Sequence, residues 1–201
     1  MNVQFPRFLR PFWGKVVWRK KTSSKVIYLT FDDGSVPEVT PLVLDILDKY
    51  ELKATFFCVG ENVEKHPDVY ADVLRRGHKT GNHTYNHLKG YSFTTKEFVA
   101  NVRKASQIIE SNLFRPPHGQ ITLQQIRTLK SDYKIIMWDI ITHDYNKNLS
   151  PETILNTIKK HTRCGSIVVF HDSIKAKENM LSVLPLAIEW WLNEGYAFGV
   201  L

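Results

Sequence analysis

From Lys25 to the C-terminus, short apolar runs rich in β-branched and aromatic residues alternate with longer stretches whose apolar residues recur every three or four positions. No feature constrains the fold more. Strand-helix-strand order demands crossover connections, and therefore a mostly parallel sheet covered by helices. Strands are expected at 25–30, 54–59, 79–82, 113–115, 134–138, 166–170 and 196–200, and helices at 39–50, 68–76, 95–112, 122–131, 151–160 and 181–194. Roughly seven such units favour a closed, barrel-like α/β sheet over an open one. In either arrangement chemistry belongs at the C-terminal ends of the strands.

The length suits one core: 201 residues, 43% of them hydrophobic, with no repeat, low-complexity tract or interdomain linker. The longest apolar runs, Ile135 to Trp138 and Ile167 to Phe170, are far too short to span a bilayer. Cys58 and Cys164 lie in or beside apolar runs, where a cysteine acts as a small buried hydrophobe, and no disulfide framework is expected.

The formal charge of +7 resides at one end. Arg7, Arg10, Lys15, Arg19, Lys20, Lys21 and Lys25 occur with no carboxylate among them, and the rest of the chain balances. A nucleic-acid role is therefore not indicated. Residues 1–24 read as a basic aromatic arm beside a domain of residues 25–201. Phe5, Phe8, Leu9, Phe12, Trp13, Val16 and Val17 repeat at helical steps, so residues 1–21 either touch an anionic membrane surface or cover one end of the domain. Pro6, Pro11 and Gly14 oppose a long helix and favour the second reading. Charges and prolines also interrupt any secretory core, so the expected location is the cytoplasm or the cytoplasmic membrane surface.

Ionisable residues collect after successive strands. The first ends in Asp32-Asp33-Gly34, two carboxylates whose side chains point to opposite sides on an extended chain. Gly81 to His87 follows the third and carries His83 and His87, four apart, which would share one face of a helix. Two histidines and either aspartate make a zinc-type ligand set with room for water. Arg115 leaves the next strand into Pro116-Pro117-His118-Gly119, suited to hold a carboxylate. Asp139 to Tyr145 follows another strand, and His171, closing the run from Ile167 to Phe170, is a general-acid candidate. Each has an ordinary reading as a cap or core residue, but their joint placement does not.

With these motifs in order, residues 25–201 resemble the polysaccharide deacetylase family, the carbohydrate esterase family 4 enzymes with a NodB homology domain. The resemblance implies a distorted (β/α)7 TIM-like barrel. It makes Asp32 of Thr30 to Gly34 the catalytic base and Asp33, His83 and His87 the ligands of a divalent metal, zinc first, with cobalt or another ion as alternatives. Arg115 is implied to position Asp32, and Asp144 to orient His171, the general acid. Tyr145, Pro117, His118 and Gly119 are implied to line the substrate groove, with a backbone N–H near His118 meeting the oxyanion. Four positions depart from the pattern: Ile141 replaces an earlier aspartate, Tyr145 a tryptophan, His118 a tyrosine and Ser35 a proline. None removes a group that reacts.

The implied activity is metal-dependent hydrolysis of N-acetyl groups on the amino sugars of an acetylated glycan, of peptidoglycan or chito-oligosaccharide type. Two rivals are an O-acetyl esterase acting on acetylated glycans and a non-catalytic carbohydrate-binding protein of the same fold.

Overall fold

The structure, a computed structural model, describes Arg10, Trp13, Gly14 and residues 16–201. The apolar repeat read over residues 5–17 therefore lies largely outside the described residues. In chain order the elements are β1 (Val26–Asp32), α1 (Thr40–Lys49), β2 (Thr55–Cys58), α2 (Gly60–Lys65), α3 (Pro67–Arg75), β3 (Lys79–Asn82), α4 (Thr95–Ala105), β4 (Leu113–Phe114), α5 (Leu123–Leu129), β5 (Lys134–Ile135), β6 (Ile140–Ile141), α6 (Pro151–His161), β7 (Ile167–His171), α7 (Lys177–Asn193) and β8 (Ala197–Phe198).

All strand pairs are parallel, in the order β5-β4-β3-β2-β1-β7-β6, with β8 added beside the start of β1. Seven strands thus make the curled sheet of a distorted barrel. Where β5 stops, the arm takes over: Val17 pairs with Ile136, and Arg19 pairs with Ser166 at the foot of β7. The same end is pinned by Asp139, fully buried, which accepts from Arg163 Nε at 2.7 Å and Ser166 Oγ at 3.0 Å, with the Arg10 guanidinium 3.3 Å away.

Local sequence explains most helix starts. Thr94 with Glu97, and Thr122 with Gln125, form reciprocal capping boxes at α4 and α5. Ser150 caps α6, whose first residue is Pro151, and Pro67 opens α3. The main core lies between the sheet and helices α1 and α7, with Leu29, Phe31, Phe56, Val168 and Phe170 packed against Leu44, Leu47, Leu184, Ile188 and Trp191. Each such side chain contributes about 1.5–3 kcal/mol on full burial. Strand alternation turns Phe57 the other way, into a smaller interior cluster with Leu113, Ile136 and Ile167.

Several expected boundaries are corrected. The strand read at 134–138 ends at Ile135, although the Ile136 N–H still donates to the Phe114 carbonyl and Val17 of the arm bridges to Ile136 on the other edge, and the chain makes a separate strand, β6, that was not foreseen. Helix 95–112 ends at Ala105, where Ser106 bonds back to the Arg103 carbonyl. α7 begins at Lys177 rather than 181. The six-residue α2 was missed, since Gly60 and Asn62 give it little intrinsic preference.

Candidate active site

Strand register assembles the site. Asp32, the last residue of β1, is paired with Phe57 of β2 on one side and with His171 of β7 on the other. Cys58 of β2 aligns with Asn82 of β3, and Asn82 with Phe114 of β4, so His83 and Arg115 leave adjacent strands at the same level. Residues from 32 to 171 meet because parallel strands end together.

Arg115 is fully buried, its guanidinium 4.1 Å from the Phe57 ring centroid. It donates from Nη1 to Asp32 Oδ1 at 2.6 Å and to Thr30 Oγ1 at 2.8 Å, and from Nη2 to the Met137 carbonyl at 3.0 Å. Burial lowers the affinity of this guanidinium for its proton, and Asp32 opposes that shift. The second carboxylate oxygen of Asp32 faces the cluster instead, 4.0 Å from His83 Nε2.

Asp33 Oδ1 lies 3.7 Å from His83 Nε2 and 3.2 Å from His87 Nε2. One donor atom from each of the three residues fits within 4.8 Å of the others. The two imidazoles do not share a helix face, as their spacing had suggested. The segment from His83 to Leu88 is irregular, with Thr84 at φ 66° and His87 at φ 56°, and those left-handed residues fold His87 back until the ring centroids stand 5.1 Å apart. Asp33 itself has φ 85°. His118 at φ 57° and His143 at φ 58° complete a concentration of left-handed, non-glycine backbone around the site.

These donors fit a divalent cation. His83 Nδ1 donates to the Arg115 carbonyl at 2.7 Å, which fixes the ring and leaves Nε2 as the basic nitrogen turned to Asp33. Burial lowers the His83 imidazole to about 4, so it is neutral, as a ligand must be. Burial resists ionisation of Asp33, but the His87 hydrogen bond and, after it, the charge of His171 outweigh it and hold the carboxyl below the usual range.

On the β7 side, His171 Nδ1 donates to Asp144 Oδ1 at 2.7 Å, and Asp144 Oδ2 accepts the His171 backbone N–H at 2.8 Å. Burial disfavours the imidazolium, yet the charge and hydrogen bond of Asp144 prevail and raise His171 to about 9. Tyr145 sets its ring edge against His171, 4.9 Å between centroids, and its hydroxyl meets His143 Nδ1 at 2.8 Å. His118, exposed, stands edge-on to His87 at 4.7 Å. In its turn the N–H groups of Gly119 and Gln120 bond to the carbonyls of Pro116 and Pro117. The two prolines have no N–H, so His118 supplies the turn's remaining donor. Gly119, at φ 67°, has no room for a Cβ, which would meet Trp138 at 2.7 Å.

Three participants, Asn62, Asp172 and Thr40, carried no sequence signal. Asn62 donates to the Asp33 carbonyl at 2.8 Å. Asp172 is fully buried with Thr40 as partner. An Asp after a strand and a Thr before a Pro look like surface turn and helix-start residues, and only tertiary packing makes them otherwise.

The polysaccharide deacetylase family model matches residues 19–135. A peptidoglycan-N-acetylglucosamine deacetylase from Bacillus cereus is 32% identical over 92% of this chain and 90% of its own length. A chitooligosaccharide deacetylase from Azorhizobium caulinodans is 30% identical over 76% of each. Among solved structures, the Bc1960 peptidoglycan N-acetylglucosamine deacetylase superimposes with a TM-score of 0.88 at 26% identity, covering 98% of this chain and 95% of that one. A strand-end carboxylate and histidine cluster on a curled parallel sheet, with relatives of this identity and coverage, establishes that the chain belongs to the polysaccharide deacetylase family.

Proposed function

We propose that this chain removes the N-acetyl group from amino sugars of a glycan, peptidoglycan or chito-oligosaccharide in type, with a divalent cation, zinc first, held by Asp33, His83 and His87. The observation that carries the reading is the convergence of three units at neighbouring strand ends: the Asp33, His83, His87 cluster, the Asp32–Arg115 pair and the Asp144–His171 pair. The names of the two curated relatives support the substrate class.

When bound there, such a cation supplies Lewis acidity that makes water more acidic and polarises the acetyl carbonyl. The chain's own groups do the rest. Arg115 engages one oxygen of Asp32 and leaves Oδ2 facing the His83 side of the cluster, where it accepts a proton as the water oxygen attacks the acetyl carbon. The His118 N–H is the proposed backbone donor to the developing oxyanion. As the C–N bond breaks, protonated His171 gives its Nε2 proton to the departing amine, because Asp144 occupies Nδ1 and stabilises the charge. Acetate and the free amino sugar leave. The neutral His171 and protonated Asp32 then exchange protons with solvent to restore the starting state.

Tyr145, Pro117, His118 and Gly119 are proposed to border the sugar. The test is acetate release from acetylated chito-oligosaccharides and from peptidoglycan fragments, with and without chelator and added zinc. Release that chelator stops and zinc restores supports the reading. Sugar binding without release would favour the binding-protein alternative. Faster release from acetyl esters than from acetamides would favour the esterase.

A further inference from the structure

We propose that Asp172 is a positioning residue for the cation site: its carboxyl group grips the turn that carries Asp33 and ties that turn to the strand end that carries His171. The proposal rests on the reading of Asp33, His83 and His87 as cation ligands. Asp172 follows His171 at the end of β7 and is fully buried. Its backbone N–H donates to the Asp32 carbonyl at 3.0 Å. Its Oδ1 accepts the Gly34 N–H at 3.0 Å, and its Oδ2 accepts the Thr40 hydroxyl proton at 2.6 Å. Thr40 Oγ1 in turn accepts the Val36 N–H at 2.9 Å. Residues 34 and 36 are thus held from one carboxyl group, directly or through Thr40, and residue 32 by the backbone of the same residue.

That grip matters because the intervening Asp33 is left-handed, a conformation that persists only where surrounding structure imposes it. Two further bonds assist: Val59 N–H to the Gly34 carbonyl at 2.8 Å, and Asn62 Nδ2 to the Asp33 carbonyl at 2.8 Å. Asp172 also explains the glycine. A Cβ on Gly34 would lie 2.1 Å from Asp172 Oδ2, so position 34 is small because the carboxyl occupies the space. A buried carboxyl is costly to keep unless its bonds are used, and both oxygens are used on this turn. Among the described residues no hydrogen bond joins the Asp172 carboxyl to Asp33, His83 or His87, so its action on their placement passes through the backbone of 32–36.

The test uses the full chain and cobalt(II). Affinity and the visible absorption of the cobalt-loaded protein are measured for wild type, Asp172→Ala, Asp172→Asn, Thr40→Val, His83→Ala and Ile188→Ala, with thermal melts of each metal-free protein. Asp172→Ala is expected to weaken cobalt binding about 10–100-fold, the usual effect of losing an outer support of a ligand, and to alter the absorption bands. Asp172→Asn, which retains an acceptor for Gly34, restores most of both. Thr40→Val moves both in the same direction by less. Ile188→Ala, a core change away from the site, lowers the melting temperature and leaves affinity and spectrum unchanged. Wild-type affinity and spectrum in Asp172→Ala, with binding still lost in His83→Ala, overturns this proposal alone. Should Asp172→Ala not fold, the same outcome in Thr40→Val overturns it. Cobalt binding unaffected by His83→Ala overturns the cation site and this proposal together.

Discussion

Replacing Asp32 by Asn separates two jobs that one carboxylate performs. Among the described residues it is the only carboxylate paired with Arg115, a guanidinium with no solvent exposure. Removing one partner of a buried pair costs about 3–5 kcal/mol, because the other charge remains buried without compensation. Asn still offers a neutral oxygen to Arg115 Nη1, and Thr30 and the Met137 carbonyl are untouched, which places Asp32→Asn near about 3 kcal/mol and Asp32→Ala near about 5. For a domain of this size each kcal/mol moves the melting temperature by about 2–4 °C, so Asp32→Asn should melt about 6–12 °C lower. Loss of the proposed base should independently cut acetate release about 10²–10⁴-fold at a temperature where the variant is folded. Circular dichroism melts and an acetate assay read the two effects separately. The pairing is checked by adding Arg115→Met: in the Asp32→Asn background it should destabilise less than in wild type, with a coupling of about 1–3 kcal/mol. An unchanged melting temperature would refute the ion-pair argument, and more than a tenth of wild-type turnover would refute the base.

In the metal-free protein the His171 imidazole should titrate near 9 by NMR, and in Asp144→Asn it should fall, because burial then meets the weaker pull of Asp33 and Asp32. Because the folded-state affinity for the proton is raised, the stabilisation is fully present below about 6.5 and lost as pH rises through about 9. The stability gap between wild type and Asp144→Asn should shrink over that window, and a gap independent of pH would contradict the assignment. Chelation should abolish acetate release and zinc restore it, while His83→Ala should lose more than about 100-fold in zinc affinity, beyond the usual cost of an outer-support mutation. Wild-type zinc binding in that variant would remove His83 from the ligand set. Gly165→Ala should cost about 1–3 kcal/mol, since a Cβ there would stand 2.0 Å from the Lys20 carbonyl and push away the segment that completes the sheet. Gly195→Ala, with nothing within 4 Å and only a left-handed φ of 77° to accommodate, should cost about 1 kcal/mol. Equal melting temperatures for the two would refute the close-approach argument.

Much of this protein is legible in its sequence. The alternation of strand and helix periods announced a parallel α/β sheet, since hydrophobic period is a local property that each segment carries in its own residues. The family motifs likewise named Asp32, Asp33, His83, Arg115, Asp144 and His171, all of which the structure gathers at strand ends. What escaped depends on neighbours distant in the chain. Val17, far earlier in the chain, bridges to Ile136 on the outer edge of β5, and Ile140–Ile141 becomes a strand only because β7 offers an edge. His83 and His87 look helical by spacing, yet left-handed backbone at Thr84 and His87 brings the rings together. Which oxygen of Asp32 is taken by Arg115, and that Asp172 is buried against Gly34, follow from strand register and close packing. Periodicity reports which face of an element seeks burial, whereas burial of a particular polar atom depends on which partner the fold sets opposite it.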